Sequence, residues 1–308
     1  MLPLFVGFFG VMALGVALRT RLREPLTPQL VASSLTAIIV DVTAPALTVD
    51  VLLRAPIATS LLAALAPATV ALVVMMALTL LACRLAKLGA AQTGALAMTL
   101  SFSNTGFVGI PVIQGLYSDP RAAQSAVLID SVDTTLLLWT LGIAVASRFG
   151  GRETQRGVGA SLLRKPVTWA VLVGLAMSAA GVALPSWLRP GVERLGAATA
   201  PLVFLTLGLG VDVAKLRGRA RVIASAVLAR LALAPSIALA TAALAHMHGP
   251  VAEAAVMQSA MPTALVSVVI ATEEGCDGAL ASAVATSTML LAPLTLPLWR
   301  AIAASTLG

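Results

Sequence analysis

The chain has 308 residues, of which 59% are hydrophobic and 11% are charged, whereas a soluble domain typically carries about 25% charged residues. So few polar side chains cannot cover a water-soluble fold, and the composition therefore predicts a protein whose main partner is the lipid bilayer. The formal net charge of +7 does not indicate a nucleic acid partner, because the basic residues lie in short loops between apolar runs and only 4% of residues are aromatic.

Ten apolar runs follow one another along the chain, each bounded by charged residues, proline or glycine. Each is close to the length of a transmembrane helix, since the hydrocarbon core of a bilayer takes about 20 helical residues. The predicted fold class is therefore all-α and integral to the membrane. We number the runs as spans one to ten in chain order. They lie at residues 2–18, 30–53, 60–82, 92–117, 122–147, 166–184, 195–212, 221–245, 252–272 and 279–299.

The distribution of basic residues predicts the orientation of the spans. Of the 20 Lys and Arg residues, 14 fall in one alternating set of loops, 5 fall in the opposite set or near the termini, and Arg230 falls within span eight. Loops rich in Lys and Arg stay on the cytoplasmic side of a membrane. We therefore expect the first set of loops to be cytoplasmic and both termini to be external.

Short sequence matches relate the two halves of the chain. The pentapeptide LGVAL at 14–18 in span one resembles AGVAL at 180–184 in span six, and PAL at 45–47 in span two resembles PLV at 201–203 in span seven. Five spans per half is an odd number, so the halves would face opposite ways, as is common in secondary transporters. We predict two inverted five-helix repeats, residues 1–150 and 151–308.

Spans four and nine each contain a segment that is unfavourable for a continuous helix. Span four reads SFSNTGFVGIP at 101–111, and span nine reads QSAMPTA at 258–264. Proline removes a helical N–H and glycine loosens the backbone, so these segments predict broken helices or, as the alternative, simple kinks. The N-termini of half-helices favour anions. The predicted substrate-binding residues are Ser103, Asn104, Thr105, Gly106, Gly109, Pro111, Ser259, Pro262 and Thr263.

Ionisable side chains lie inside three predicted spans. Arg230 lies near the middle of span eight, Asp130 and Asp133 lie one turn apart in span five, and Asp41 lies in span two. Such groups are costly in a bilayer and are therefore functional candidates. We predict that Arg230 faces Asp130, Asp133 or both, and that this ion-coupling cluster binds and releases a proton. The alternatives are a static ion pair and direct contact between Arg230 and a substrate carboxylate.

Sequence motifs of enzymes and metal sites are absent, including HExxH, the P-loop and GxSxG. Cys83 and Cys276 fall at the ends of apolar segments and are predicted to be free thiols, while His246 and His248 are predicted to be interfacial. We expect no enzymatic activity, no cofactor and no bound metal. The coupling ion of a transporter with this sequence would be H+ or Na+.

Three segments resemble a known family of membrane carriers. Residues 101–111 are similar to the fourth-span signature of the auxin efflux carrier family in its bacterial branch. Residues 201–210, PLVFLTLGLG, resemble the seventh span of that family, and residues 258–264 with the region 271–299 resemble its last two spans. The resemblance covers nearly the whole chain and implies ten helices in two inverted repeats, in the bacterial inner membrane.

The resemblance also implies a helix crossing and a mechanism. Spans four and nine would cross at Pro111 and Pro262, as in the related bile-acid symporter and sodium/proton antiporter folds. In such antiporters an acidic residue after the first crossover can pair with a basic residue before the second, and Asp130 or Asp133 and Arg230 lie in those helices. Spans one, two, six and seven would form a scaffold, through which a homodimer could form. Spans three to five and eight to ten would form a transport domain that moves like an elevator.

The function that we predict is secondary active transport of a small organic anion. Bacterial relatives are associated with malonate, malate and other small carboxylates. Plant auxin exporters carry a long hydrophilic loop between the halves, but the loop at 148–165 is short here, so auxin is not implied. The alternative on the same fold is a sodium- or proton-coupled cation exchanger or a bile-acid-symporter-like carrier.

Overall fold

The computed structural model shows an all-helical chain. Within the described ranges there is no β-strand, which confirms the predicted all-α class. Much of the predicted cytoplasmic loops, at 152–165 and 211–219, and the predicted external Arg54 lie outside those ranges. The structure describes residues 2–53, 59–151, 166–210 and 220–308.

Four helical stretches in the described ranges are apolar and long enough to cross a membrane, as expected for an integral membrane protein. They coincide with predicted spans three, five, eight and ten. That ten spans cross the bilayer in two inverted repeats stays a prediction. The four stretches are Leu61–Leu85, Pro120–Gly150, Ala220–Leu244 and Gly278–Leu307.

The described residues of the first half form eight α-helices, and three of the connections between them are π-helical. A π-helical turn at Ile39–Thr43 joins α2 to α3, another at Thr105–Gly109 precedes α6, and a longer one at Ser131–Gly142 joins α7 to α8. The helices are α1 (Leu2–Arg21), α2 (Pro28–Ile38), α3 (Ala44–Leu52), α4 (Leu65–Leu85), α5 (Ala90–Ser101), α6 (Ile110–Leu116), α7 (Pro120–Asp130) and α8 (Ile143–Gly150).

The second half of the chain contains seven α-helices in the described ranges. A π-helical turn at Ala229–Leu233 joins α11 to α12 within predicted span eight. The helices are α9 (Pro166–Ala179), α10 (Arg189–Gly210), α11 (Ala220–Leu228), α12 (Ala234–Leu244), α13 (Gly249–Ala260), α14 (Leu265–Glu273) and α15 (Gly278–Leu307).

Some helix ends differ from the predicted span ends for identifiable reasons. Helix α9 ends at Ala179 rather than at 184, because Gly181 adopts a left-handed φ of 66° and the Val182 N–H bonds back to Met177. Helix α15 extends to Leu307 rather than 299, and prolines within it do not end it.

The helices pack in two groups. In the first group α1 packs against α10, α10 packs against α2 and α3, and α3 packs against α9. Gly15 and Gly208 allow the close approach of α1 and α10, because a Cβ atom at either position would collide with the backbone of the other helix. The second group comprises α4–α8 and α11–α15. That these groups act as a scaffold and a transport domain that move relative to each other stays a prediction.

The largest apolar core joins the two groups. It contains Leu47 and Phe204 from the first group and Val108, Ile113 and Met257 from the second, all of them buried. Leucines on the outer faces of several helices are instead exposed, as expected for surfaces that contact lipid. The broken helices therefore lie beside the boundary between the two packing groups.

Candidate functional site

Spans four and nine are each interrupted near their middle, as the sequence predicts. Helix α5 ends at Ser101, and residues 102–104 are non-helical before the π-helical turn that leads into α6. Helix α13 ends at Ala260, and residues 261–264 are non-helical before α14 begins. Each span therefore consists of a first and a second half-helix joined by an unwound segment.

The two unwound segments pair with each other like two β-strands. The Asn104 N–H donates to the Pro262 carbonyl at 2.7 Å, and the Ala264 N–H donates to the Phe102 carbonyl at 2.9 Å. Backbone groups in a bilayer must find partners within the protein, and these two bonds satisfy four of them. We call this paired contact the crossing.

The crossing is centred on Ser103 and Thr263, which form an isolated antiparallel bridge. Pro262 lies beside the bridge, and its missing N–H accounts for the break in span nine. The predicted crossing at Pro111 is wrong. Pro111 lies in the first turn of α6, directly after the π-helical turn, and the chain stays helical through it.

Threonine side chains complete the hydrogen bonding of the crossing. The Thr263 N–H donates to the hydroxyl oxygen of Thr288 at 3.2 Å, and the Thr263 hydroxyl donates to the Thr99 carbonyl at 2.9 Å. Both of these partners are buried. The unwound peptide groups are thus largely paired within the protein.

The guanidinium group of Arg230 binds the side of the crossing where the two first half-helices end. It donates to the carbonyls of Leu100 at 3.1 Å, Ser259 at 2.7 Å and Met261 at 3.1 and 3.3 Å. It also donates to the Ser103 hydroxyl. Arg230 is only 1% exposed, so protein groups alone satisfy this cation.

The prediction that Arg230 faces Asp130, Asp133 or both is only partly correct. Within the described part of the chain no ion pair joins Arg230 to Asp130 or Asp133, although its charge and that of Asp133 attract each other over a longer distance. The carbonyl groups at helix C-termini carry partial negative charge. They can therefore accept a buried guanidinium group without a carboxylate in contact.

Asp130 lies on the opposite side of the crossing, where the second half-helix of span four begins. The Thr105 hydroxyl donates to its carboxylate at 2.6 Å and lies 2.6 Å from the hydroxyl oxygen of Thr134. A Cβ atom at Gly106 would lie 2.8 Å from the carboxylate oxygen of Asp130. Glycine at 106 therefore lets the carboxylate approach a helix N-terminus, where negative charge is favourable.

Asp133 has a different neighbour from Asp130. Its carboxylate accepts a hydrogen bond from the Thr69 hydroxyl at 2.8 Å, and its side chain is buried. The π-helical winding that begins at Ser131 is wider than an α-helix and separates the directions of the two side chains. The expectation that the α-helical spacing turns both aspartates toward one neighbour is wrong.

Asn104 lines two cavities beside the crossing and is the only asparagine in the chain. Its side chain is 3% exposed, and in the described structure its Nδ2 has no hydrogen-bond partner. One cavity has a volume of about 100 Å³ and is also lined by Asp130 and Thr134. The other has a volume of about 300 Å³ and reaches Thr206 of α10 in the first packing group. Asn104 therefore presents an amide donor at the boundary between the groups.

Both second half-helices begin at these cavities. Phe107, from the first turn of one, and Leu265 and Val266, from the first turn of the other, line the two cavities. The first N–H groups of a helix have no intrahelical partner and carry partial positive charge. Two helix N-termini and the amide of Asn104 thus converge on one space, which is an arrangement that favours an anion.

Comparison with known proteins decides the family. A family model described as membrane transport protein matches residues 8–156 and 152–300. The chain belongs to the auxin efflux carrier family. This carrier is therefore a membrane transporter, as predicted from the segments at 101–111, 201–210 and 258–264.

Relatives of this carrier include several named only as uncharacterized transporters. It is 28% identical to one from Methanothermobacter thermautotrophicus, with 70% of each chain aligned, and 27% identical to one from Methanocaldococcus jannaschii, with 69% of each aligned. It is 22% identical to the transporter YfdV of Escherichia coli K12, with 68% of each aligned. These names confirm transport and specify no substrate.

Of the nine predicted substrate-binding residues of the carrier, only Asn104 and Gly106 line these cavities. Ser103, Thr105, Pro262 and Thr263 belong to the crossing and its contacts, and the other three have different partners. Gly109 packs against the side-chain oxygen of Gln258. Ser259 contributes its carbonyl to Arg230, while its hydroxyl bonds back to Ala255. Pro111 lines a separate cavity of about 330 Å³ with Asp50 and Glu193.

Several residues of this region of the carrier were missed by sequence reasoning. The Gln258 side chain donates to the carbonyls of Thr105 at 3.3 Å and Ala126 at 3.0 Å, and so ties both broken spans to α7. Thr99 and Thr288 were also missed, because a threonine in an apolar helix usually bonds to its own helix. A glutamine beside a predicted break was the available signal for Gln258.

Two other charged groups lie away from the crossing. Asp41 is exposed on the π-helical turn of span two, whereas Ile39 on the same turn faces the larger cavity. Glu253 is buried in an ion pair with Arg300, and Arg300 stacks over the Tyr117 ring at 4.6 Å. Cys83 and Cys276 are free thiols, as predicted.

Proposed function

We propose that this carrier transports small mono- or dicarboxylates such as malonate or malate across the membrane by secondary active transport. The observation that carries the proposal is the side chain of Asn104. It is an unpaired amide donor, almost fully buried, at a cavity where two helix N-termini converge. An unpaired buried donor is costly, and an anionic ligand would satisfy it.

The size of the site supports a small substrate. The cavity that contains Asn104 and Asp130 has a volume of about 100 Å³. Its other walls, which include Trp139 and Val266, are largely apolar. A short carbon chain that carries one or two carboxylates suits such a site better than a bulky aromatic acid.

The position of Asp130 supports coupling to a proton. A substrate carboxylate at the cavity would share the helix N-terminus with the carboxylate of Asp130, and the two negative charges would repel each other. Protonation of Asp130 would remove the repulsion. Asp133 and Arg230 are the other charged groups of this region, and both interact with other partners. Anion and proton would therefore bind together.

The predicted architecture accommodates an elevator mechanism. The cavity of about 300 Å³ lies between Thr206 and Val203 of the scaffold group and the crossing in the transport group. Sliding of one group along the other would carry the crossing across the membrane. The family model matches the chain in two segments that meet near residue 152, which supports a division into two halves. On this proposal the carrier lies in the inner membrane with external termini, as a homodimer through its scaffold.

The alternative is a sodium- or proton-coupled cation exchanger or a bile-acid-symporter-like carrier. The observation that favours a cation is the set of oxygen ligands formed by Asp130 and the hydroxyls of Thr105 and Thr134. Hard cations such as Na+ prefer oxygen ligands of this kind. A flux of sodium ions or protons whose rate does not change when organic anions are added would favour this alternative.

Asn104 offers the direct test. Purified carrier in liposomes would be assayed for uptake of labelled malonate, malate and monocarboxylates under imposed proton or sodium gradients. We expect Asn104→Ala to raise KM at least about tenfold, because hydrogen bonds to charged groups contribute about 1.5–3 kcal/mol and 1.4 kcal/mol is a factor of ten.

The matched control is Gln92→Ala, which removes an amide from α5 far from the cavity and should leave KM unchanged. The proposal fails if no organic anion is bound or transported by the wild-type carrier. It also fails if Asn104→Ala transports with wild-type KM.

A further inference from the structure

The partners of Arg230 form an oxygen cage that could also hold a free cation. The cage consists of the carbonyl oxygens of Leu100, Ser259 and Met261 and the hydroxyl oxygen of Ser103. Rings of backbone carbonyls bind alkali ions in membrane channels, where they replace the water around the ion. In this carrier the guanidinium group already occupies the cage.

The cage has negative polarity because of the helices that end there. Leu100 belongs to the last turn of α5, and Ser259 and Met261 lie at the end of α13. Each helix C-terminus carries about half a negative elementary charge, so two together carry about one. The single positive charge of Arg230 balances them in a buried site. A positive charge at this position therefore balances the two helix C-termini.

Asp133 strengthens the preference for a cation. Its charge and that of Arg230 attract each other, although no ion pair joins them within the described residues. Burial makes such attraction stronger than in water. If Arg230 were replaced by a neutral side chain, the carbonyl groups and Asp133 would together attract a small cation into the vacated space.

We propose that Arg230 is a fixed cation that fills a monovalent cation site at the crossing, so that the carrier binds no sodium ion there. The inference rests on the proposed function and deepens it, because it removes this cage as a site for a coupling sodium ion. It also makes a prediction of its own. Loss of the guanidinium group should create a site for free Na+, K+ or guanidinium.

The test uses Arg230→Gln, which keeps a polar side chain but removes the charge. Thermal unfolding of the purified full-length carrier would be measured with NaCl, KCl or dilute guanidinium chloride, against N-methylglucamine chloride at equal ionic strength. The bulky N-methylglucamine cation cannot enter the cage. Arg121→Gln, which removes an exposed arginine, is the matched control.

We expect Arg230→Gln to be stabilised by at least one small cation, by about 4 °C at a concentration 100-fold above its dissociation constant. The wild-type carrier and Arg121→Gln should melt at the same temperature in all four salts. A purely structural role would lower the melting temperature of Arg230→Gln without any response to cations, and that result would overturn the inference. Specific stabilisation of the wild type by Na+ at this site, lost in Arg230→Gln, would also overturn it.

The same variants test transport. Uptake of labelled malate by the wild type should be equal in sodium and N-methylglucamine, whereas uptake by Arg230→Gln should require a small cation. If the wild type moves no anion, the proposed function fails, but the melting experiment still decides the cation site. If Arg230→Gln cannot be isolated, the melting temperature of Arg230→Lys is measured in the same salts. It retains the charge and should stay insensitive to cations, so stabilisation of Arg230→Lys by Na+ would contradict the inference.

Discussion

The two sides of the crossing differ in how their polar groups are satisfied. On the side where the first half-helices end, Arg230 occupies the carbonyl acceptors of both spans. On the side where the second half-helices begin, the donors face cavities, and Asn104 there has an unpaired amide in the described structure. The comparison teaches that a helix break serves two purposes. One side fixes the architecture, and the other is left for an exchangeable ligand.

The largest expected effect comes from removing the negative charge of Asp130 on the cavity side. Asp130→Asn should abolish the pH dependence of anion binding, because no proton is then needed to remove the repulsion. If the wild type binds one proton with the anion, its apparent affinity falls about tenfold per pH unit above the range in which Asp130 binds that proton. Binding of labelled malate would be measured between pH 5 and 8.

Asp133→Asn is the matched control, because Asp133 contacts Thr69 rather than the cavity. It should retain the pH dependence of the wild type. Equal pH dependence in wild type and Asp130→Asn would contradict the role of Asp130 and would remove the difference between the two sides.

A smaller effect is expected from overpacking the contact between Gly109 and Gln258, which lies beside the crossing. Gly109→Ala places a methyl group against the side-chain oxygen of Gln258, which must then shift from its bonds to Thr105 and Ala126. Overpacking of this kind costs about 1–3 kcal/mol. Thermal unfolding would show a lowered melting temperature.

A second substitution identifies the cause. Gln258→Ala removes the oxygen that Gly109→Ala meets, so the double variant should be more stable than the sum of the single losses predicts. Strict additivity would show that Gly109 and Gln258 do not meet at this contact.

The smallest effect is expected for a charge outside the membrane-spanning helices. Asp119 caps α7 by accepting a bond from the Arg121 N–H at 2.9 Å, and Arg121 holds the pKa of this carboxyl below its ordinary value. Asp119→Ala should cost about 1 kcal/mol of stability at neutral pH, as for other helix caps.

The sign of the pH effect at Asp119 follows from the lowered pKa. The stabilisation is present above the pKa of the unfolded carboxyl and is lost as the pH falls through the lowered pKa of the folded one. Wild type and Asp119→Ala should therefore differ at pH 7 and converge in acid. A difference that persists in acid would indicate a role other than this charge.

The sequence was informative about where helices break and less so about what the broken ends contact. Pro262 and the glycines and proline at 106–111 predicted both breaks, because these residues disfavour a continuous helix. Pro111 misled the prediction of the crossing, since a proline in a first helical turn does not interrupt it. Local backbone preference can be deduced from sequence more readily than the pairing of two distant segments.

The partners of Arg230 show a second limit of prediction from sequence. An arginine in an apolar helix predicts an acidic partner, but every residue carries a carbonyl, and nothing in a sequence distinguishes the carbonyls that end a broken helix. The different directions of the Asp130 and Asp133 side chains could not be predicted for a similar reason, because the spacing of residues does not reveal π-helical winding. Side-chain identities were therefore predicted better than their directions.

That the chain contains a single asparagine, at the crossing, makes the carrier convenient for spectroscopy. Incorporation of ¹⁵N-labelled asparagine would give one side-chain amide resonance from 308 residues, without a mutation or an attached probe. Its chemical shift would report directly when an anion accepts a bond from Asn104. Titration of that one signal could rank ligands in detergent or nanodiscs even for a substrate that has not yet been radiolabelled.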